Sequence, residues 1–285
     1  MADAAAPKSK LRSTRPDLAS LLGLLVAFGG IIGGLLMEKG KITDIMQFSA
    51  GVIVLAGTLG AVMITSPISS IIAAAKGLKD VFFENSVDTH AAIEEVIAYA
   101  TKARKSSIIS LEEDLDKISD PFLRKALTLA VDGTDIQELK QMMELEIMQS
   151  EKHAEAAAKV FESAGGYAPT IGIIGAVMGL IQVMKHLADI DEVGRGIAVA
   201  FVATVYGVAF ANIVFLPAAN KLKARIHSDV ASKELLLEGV SSILEGMNPK
   251  LIRVKLEAFL HSKSPKKAKG DAEASGAGEP AAAGG

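Results

Sequence analysis

The chain has 285 residues, 50% of them hydrophobic and 22% charged, with a net charge of −3. With a mean hydropathy of +0.35, this mixture is too apolar for an ordinary soluble domain and too charged for a protein lying wholly in lipid. Cysteine and tryptophan are absent, which excludes disulfides, thiolate metal sites and cysteine nucleophiles. The five histidines show no zinc spacing, and no Lys/Arg stripe with interleaved aromatics suggests a nucleic-acid surface. No metal or other cofactor is expected.

Residues 1–16 are alanine-rich and basic (Lys8, Lys10, Arg12, Arg15) and read as a cytoplasmic extension. They lead into an apolar run, 18–37, with the roughly 20 residues a helix needs to cross a bilayer. A basic start before an apolar core also describes a signal peptide. Here the run is as long as a full span, and no small-x-small cleavage site with a soluble domain behind it follows. Instead Glu38-Lys39-Gly40-Lys41 reads as a tight turn into a second span over 42–65, so 17–66 is expected to be an antiparallel transmembrane hairpin. Gly29, Gly30, Gly33 and Gly34 on the first arm, and Gly51, Gly57, Gly60 and Ala61 on the second, read as packing surfaces between helices. Ser66-Pro67 ends this unit. Ile68, Ile71, Ile72, Ala75, Leu78 and Phe82 then recur at helical spacing, the pattern of a helix lying at the cytoplasmic membrane surface.

From 88 to 165 the composition turns polar, apolar residues recur every three or four positions, and no alternating run suggests a strand. With the interfacial helix this makes 67–166 a cytoplasmic helical domain. Within it, Asp120-Pro121 supplies an N-cap and a proline at the first helical position, Val131-Asp132-Gly133 a stop, and a long helix over 135–163 is expected to be interrupted by Gly165-Gly166.

A second transmembrane hairpin, 167–217, has two apolar arms joined by the polar turn 189–194. Neither arm carries a charge in its middle. They carry instead Pro169, Thr170, Gly172, Gly175, Ala176 and Gly179, then Ala203, Thr204, Tyr206, Asn212 and Pro217. Lipid cannot satisfy the polar groups among these, so they are expected to face other helices or a wet path, and the hairpin is read as lining an ion pathway. Two further cytoplasmic helices occupy 218–261. The first opens with Lys221, Lys223 and Arg225 and ends near Gly246; Asn248-Pro249 caps the second. Residues 262–285 have almost no bulky apolar side chain and are expected to be disordered. Basic residues flank the N-terminus and the ends of the second and fourth spans, while 189–194 is acidic. The positive-inside bias therefore places both termini and 88–165 in the cytoplasm, with Lys39 and Lys41 counting against it. The expected fold is all-α: four transmembrane helices and a helical cytoplasmic domain.

The segments 168–180 (APTIGIIGAVMGL) and 200–207 (AFVATVYG), with Pro217 beyond them, resemble the A subunits of bacterial flagellar motor stators, the MotA/PomA family. The resemblance covers roughly 17–260, including the four-span layout, the large insert after span two and Asn248-Pro249. The related ExbB and TolQ proteins have one span before the insert where this chain has two. The segment 102–113 (KARKSSIISLEE) is similar to the family segment in which an arginine and, eight positions later, a glutamate face the rotor switch protein FliG. Those positions are Arg104 and Glu112 here. Ser106 and Ser107 stand where small, glycine-type residues are usual, and Ala209 where a larger apolar residue is usual.

The resemblance implies that several copies, five in the family, surround a dimer of a single-span MotB- or PomB-like B subunit whose aspartate carries the ion, in the bacterial inner membrane. The residues independently ask for such a partner. An ion path needs a titratable or coordinating group near the midplane, and all four spans lack a central Asp, Glu, Lys, Arg or His, so the carboxylate must come from another chain. The family's sodium-driven members place threonines at three positions that match Ala176, Ala203 and Thr204, so protons are the expected ion. Thr204 alone has a hydroxyl, and its plain alternative is a bond to the carbonyl one turn back. Pro169 and Pro217 resemble the family's functional prolines, expected to interrupt the helices at their cytoplasmic ends. The other readings are a sodium-driven stator, an ExbB/TolQ-like energiser, and a passive membrane scaffold, against which the clustering of Thr204, Tyr206 and Asn212 in one span counts. No cofactor or nucleophile motif suggests an enzyme.

Overall fold

The computed structural model describes residues 12–262; most of the N-terminal extension and the tail expected to be disordered lie outside the described residues. In chain order the elements are β1 (Arg12–Pro16), α1 (Leu18–Met37), α2 (Phe48–Thr65), α3 (Ile68–Phe82), β2 (Phe83–Val87), α4 (Thr89–Ser106), α5 (Pro121–Val131), α6 (Ile136–Lys185), α7 (Ile190–Ala209), α8 (Leu216–Leu244) and α9 (Pro249–Ser262). Two 3-10 segments, Ile42–Ile45 and Ile108–Lys117, interrupt the loops, and a π-helical segment, Phe210–Phe215, joins α7 to α8. The fold is helical as expected, with one addition. β1 and β2 pair as an antiparallel two-stranded ribbon, Thr14 opposite Asn85. Four helical stretches are long and apolar enough to cross a membrane: α1, α2, α6 and the continuous run Ile190–Leu244.

Two rods dominate the molecule. The 50 residues of α6 extend about 75 Å at 1.5 Å per residue. The expected break at Gly165-Gly166 does not occur. Gly165 is buried where a Cβ would lie 2.6 Å from the Leu216 side chain, so its missing side chain serves close packing against the start of α8. Pro169 removes the N–H that would bond to the Gly165 carbonyl, yet the helix continues through it. The turn at the far end is also shorter than expected. The Asp189 carboxylate accepts from the backbone N–H groups of Asp191 and Glu192 (3.0 and 3.2 Å), so these acidic residues form the first turn of α7, where the helix dipole favours negative charge. The second rod passes Pro217 without a break. The Leu216 N–H donates to the carbonyl of Ala211, five residues back, and this wide turn accommodates the proline's missing donor.

The rods meet along a seam of small residues. Ala168, Gly172, Gly175 and Gly179 on α6, and Gly196, Ala200, Ala203 and Gly207 on α7, are all buried, and both sets repeat the same spacing of four, three and four residues. Because the helices run antiparallel, the sets interlock. A Cβ on Gly179 would lie 2.7 Å from the Gly196 carbonyl oxygen, one on Gly172 2.9 Å from that of Ala203, and one on Gly207 2.5 Å from that of Ala168.

The first pair of spans departs from expectation. The second span begins at Phe48 because 42–45 forms a 3-10 turn in which the Asp44 carboxylate accepts from the Lys41 N–H (2.8 Å). α1 has no buried residue and packs on α3 in preference to α2. Gly29, Gly30, Gly33 and Gly34 have nothing within 4 Å of the place a Cβ would take. The two spans therefore do not close into a packed hairpin within one chain, and α1 is fixed at its base instead. Asp17 accepts from the Ser20 N–H (3.1 Å), and its buried carboxylate pairs with Lys221 and with Arg225 (3.0 Å). Arg225 also donates to the carbonyls of Phe83 and Val81. The Lys221 ammonium, opposed by burial, holds the Asp17 carboxyl at about 2, below its ordinary 3.8. A lowered carboxylate pKa stabilises the fold above the ordinary value, and that contribution is lost only as pH falls toward 2. Neutral and mildly acidic conditions leave the clamp intact.

At the polar end, α4, α5, α9 and the polar halves of α6 and α8 enclose Ile93, Val96, Leu123, Leu127, Leu139, Met143, Leu235, Val240, Ile252 and Leu256, all fully buried. Each such side chain contributes roughly 1.5–3 kcal/mol. Asp120 caps α5, Gly133 ends it at φ +81°, and Asn248 caps α9 through the Lys250 N–H, as expected. Gly207→Ala is expected to drive the seam apart at a cost of about 1–3 kcal/mol, read as a lower thermal midpoint of the isolated chain in detergent. Gly60→Ala, where the added Cβ meets nothing within 4 Å, should leave that midpoint unlowered.

Candidate functional site

The residues singled out for the ion pathway occupy the seam and its surroundings. Ala203 is fully buried with its methyl against Gly175, and Ala176, one residue on, is half-buried. Thr204 is also half-buried, and its hydroxyl donates to the Ala200 carbonyl one turn back (3.2 Å). Gly172 packs on the backbone of Ala203 and Thr204, so Ala176, Ala203 and Thr204 share one level of the α6/α7 pair. Pro169 is at the same contact, its Cα 3.2 Å from the place of a Gly207 Cβ.

Tyr206 and Asn212 are placed differently. The Tyr206 hydroxyl reaches across to α2, donating to the Ile45 carbonyl (2.6 Å) and accepting weakly from the Gln47 N–H (3.4 Å). Its ring meets Phe210 edge to face. It is a tie between α7 and the entrance of α2. Asn212 is exposed in the π segment and donates to the Val208 carbonyl (2.9 Å); Pro217 is exposed just beyond. The hydroxyls of Thr170, Thr204 and Tyr206 and the amide of Asn212 are thus all turned to nearby carbonyls.

The second candidate face is at the other end of the molecule. Arg104, on the last turn of α4, and Glu112, on the 3-10 segment, are both exposed, and neither has an ion pair among the described residues. Their neighbours are engaged: the buried Asp114 accepts from Lys102 (2.6 Å) and Lys117 (2.7 Å), which together hold its carboxyl below the usual range against the cost of burial. This triad fixes the 3-10 segment on α4 while leaving Arg104 and Glu112 free. Between them, Ser107 has φ +77° and ψ +157°, a region natural to glycine alone. The residue noted in the sequence as standing at a glycine-type position is therefore strained. Ser107→Gly should stabilise the polar bundle by about 1 kcal/mol, measured as a rise in thermal midpoint.

The family model for the MotA/TolQ/ExbB proton channel family matches residues 114–235, and the motility protein A N-terminal model matches 21–106. Motility protein A of Bacillus subtilis (strain 168) is 36% identical over 251 residues, covering 87% of this chain and 92% of that one. The chain belongs to the motility protein A family. Two solved structures agree in fold. One, of C. jejuni MotAB, gives a TM-score of 0.82 at 32% identity, covering 89% of this chain and 99% of that one. The flagellar MotAB stator complex from Bacillus subtilis gives 0.80 at 35% identity, covering 87% and 97%. The protein is an inner-membrane subunit of a flagellar motor stator, in a family of ion-coupled proton channels and not a family of enzymes. The N-terminal match takes in most of α1 and all of α2.

Proposed function

We propose that five copies of this subunit surround a dimer of a single-span MotB-like B subunit and convert proton flow into torque on FliG, with both termini and the polar bundle in the cytoplasm. The observation that carries the reading is the chemistry of the spans: none has a central titratable group, so the protonatable carboxylate has to be the partner's. The two solved relatives are themselves MotAB complexes, which supports a partner of that kind. A charge held at mid-bilayer costs about 2.5–3.5 kcal/mol on insertion scales. Purified protein alone is therefore expected to conduct nothing in vesicles, and co-reconstitution with its B subunit to open a flux. Robust flux without the partner would refute the scheme.

Protons are favoured over sodium by the oxygen count. Sodium must exchange water for several converging oxygens, whereas a proton needs a carboxylate and water. Ala176 and Ala203 offer methyls, and the Thr204 hydroxyl is spent on Ala200. Each proton descending 100 mV releases about 2.3 kcal/mol. Swimming speed is expected to be indifferent to sodium at fixed pH and abolished by a protonophore. The reverse pattern would assign sodium. Thr204→Val leaving motility unchanged would remove that residue from the path.

Arg104 and Glu112 are read as the charges that meet FliG. Exposed ion pairs contribute only about 0–1 kcal/mol to stability, while complementary charges steer partners strongly. Arg104→Glu and Glu112→Lys should therefore depress motility without lowering the amount of protein in the membrane, and a matching reversal on FliG should restore part of it. Normal swimming by both variants would count against these two residues.

A further inference from the structure

A groove between α6, α8 and α9 in the polar bundle has no role in the reading above. Its volume is about 460 Å³; Ile147, Met148, Val230 and Leu237 form an apolar floor, and Phe259 stands at one rim. Three of its carboxylates, Glu144, Glu151 and Glu234, have no partner among the described residues. Lysines near the groove are already engaged, Lys140 with Glu245 (3.6 Å), Lys233 with Asp229 (2.8 Å) and Lys255 with Glu238. Three uncompensated negative charges over an apolar floor suit an occupant that lays aliphatic stems on the floor and ammonium groups on the rim, which is how lysine side chains snorkel.

Such a segment follows directly in the chain. Residues 263–269, Lys-Ser-Pro-Lys-Lys-Ala-Lys, carry four lysines in seven positions and begin four residues after Phe259. Extended, seven residues reach about 24 Å, while Glu144 and Glu151 lie about 10 Å apart along α6. A short tether holds a segment at millimolar effective concentration, so weak pairs suffice. The same lysines would also suit an anionic membrane surface, the rival that the choice of lipid separates. We propose that residues 263–269 seat in this groove of their own chain, with their lysines on Glu144, Glu151 and Glu234, so that α9 is latched against α6 and α8.

The absence of cysteine makes the test direct. Met148→Cys combined with Ala268→Cys leaves every groove carboxylate and every lysine in place; Met148 is 53% exposed on the groove floor. In the full chain assembled with its B subunit in anionic vesicles, the intrachain disulfide of this pair is expected to form at least tenfold faster than that of a control pair, Ile109→Cys with Ala268→Cys. The rate should fall severalfold in 1 M salt, where the Debye length is about 3 Å, and likewise in a Glu144→Gln, Glu151→Gln, Glu234→Gln background. Three results would each overturn the proposal: a rate equal to that of the control pair, disulfides formed chiefly between differently tagged copies, or a disulfide that forms only when anionic lipid is replaced by neutral detergent. The last would show the segment held at the membrane.

Discussion

Everything in this fold depends on how closely two backbones approach. Lipid gives no hydrophobic reason for one apolar helix to prefer another over acyl chains, so helices in membranes associate through van der Waals contact at short range. The α6/α7 seam achieves this by reducing the side chain to a hydrogen or a methyl at eight interlocking positions, until carbonyl oxygens of one helix sit where side chains of the other would begin. Both helices continue into the polar bundle. The seam therefore also sets the separation at which α6 and α8 enclose Leu139, Met143, Leu235 and Val240. Outside the seam the same helices expose Ile173, Val177, Leu180, Phe201 and Val205, surfaces available to lipid, to further copies and to a partner span.

The seam is also chemically quiet. The hydroxyls of Thr170 and Thr204 and the amide of Asn212 bond to carbonyls of their own helix, and Tyr206 is occupied in holding the entrance of α2. In the proposed scheme a wall of this kind would shape a path without binding the ion tightly, the exchanging group being the partner's. The proposed division of labour between a shaping subunit and a protonatable partner would then follow from the composition of these two helices.

Much of this was legible in the sequence, for reasons that differ by element. The bounds of α1 follow from an apolar run that ends in a turn, the boundary between α2 and α3 from Ser66-Pro67, and the bounds of α5 from Asp120-Pro121 and Gly133, whose backbone requirements admit few alternatives. The continuity of α6 was not legible. A glycine pair reads alike whether it ends a helix or admits a neighbour, and the neighbour of Gly165 is Leu216, 51 positions on. Likewise the open position of α1 depends on Asp17 pairing with Lys221 and Arg225, a contact that local periodicity cannot reveal. The β1/β2 ribbon depends on a pairing across about 70 residues. At the candidate sites, the resemblance of 102–113 to the family segment singled out Arg104 and Glu112. Their freedom from partners became visible only once Lys102, Asp114 and Lys117 were seen to satisfy one another.

The two rods differ in compliance. α6 carries its hydrogen-bond ladder from the outer turn to the polar bundle with a single donor missing at Pro169, so it behaves as a drive shaft: a twist at one end reappears at the other. The second rod has a wide-pitched collar at Phe210–Phe215, where the ladder changes register and bending is cheap. Coupled along the seam, a stiff shaft and a jointed one form a crank. A motion of the apolar end would then reach the polar bundle through the stiff shaft, with bending confined to the collar.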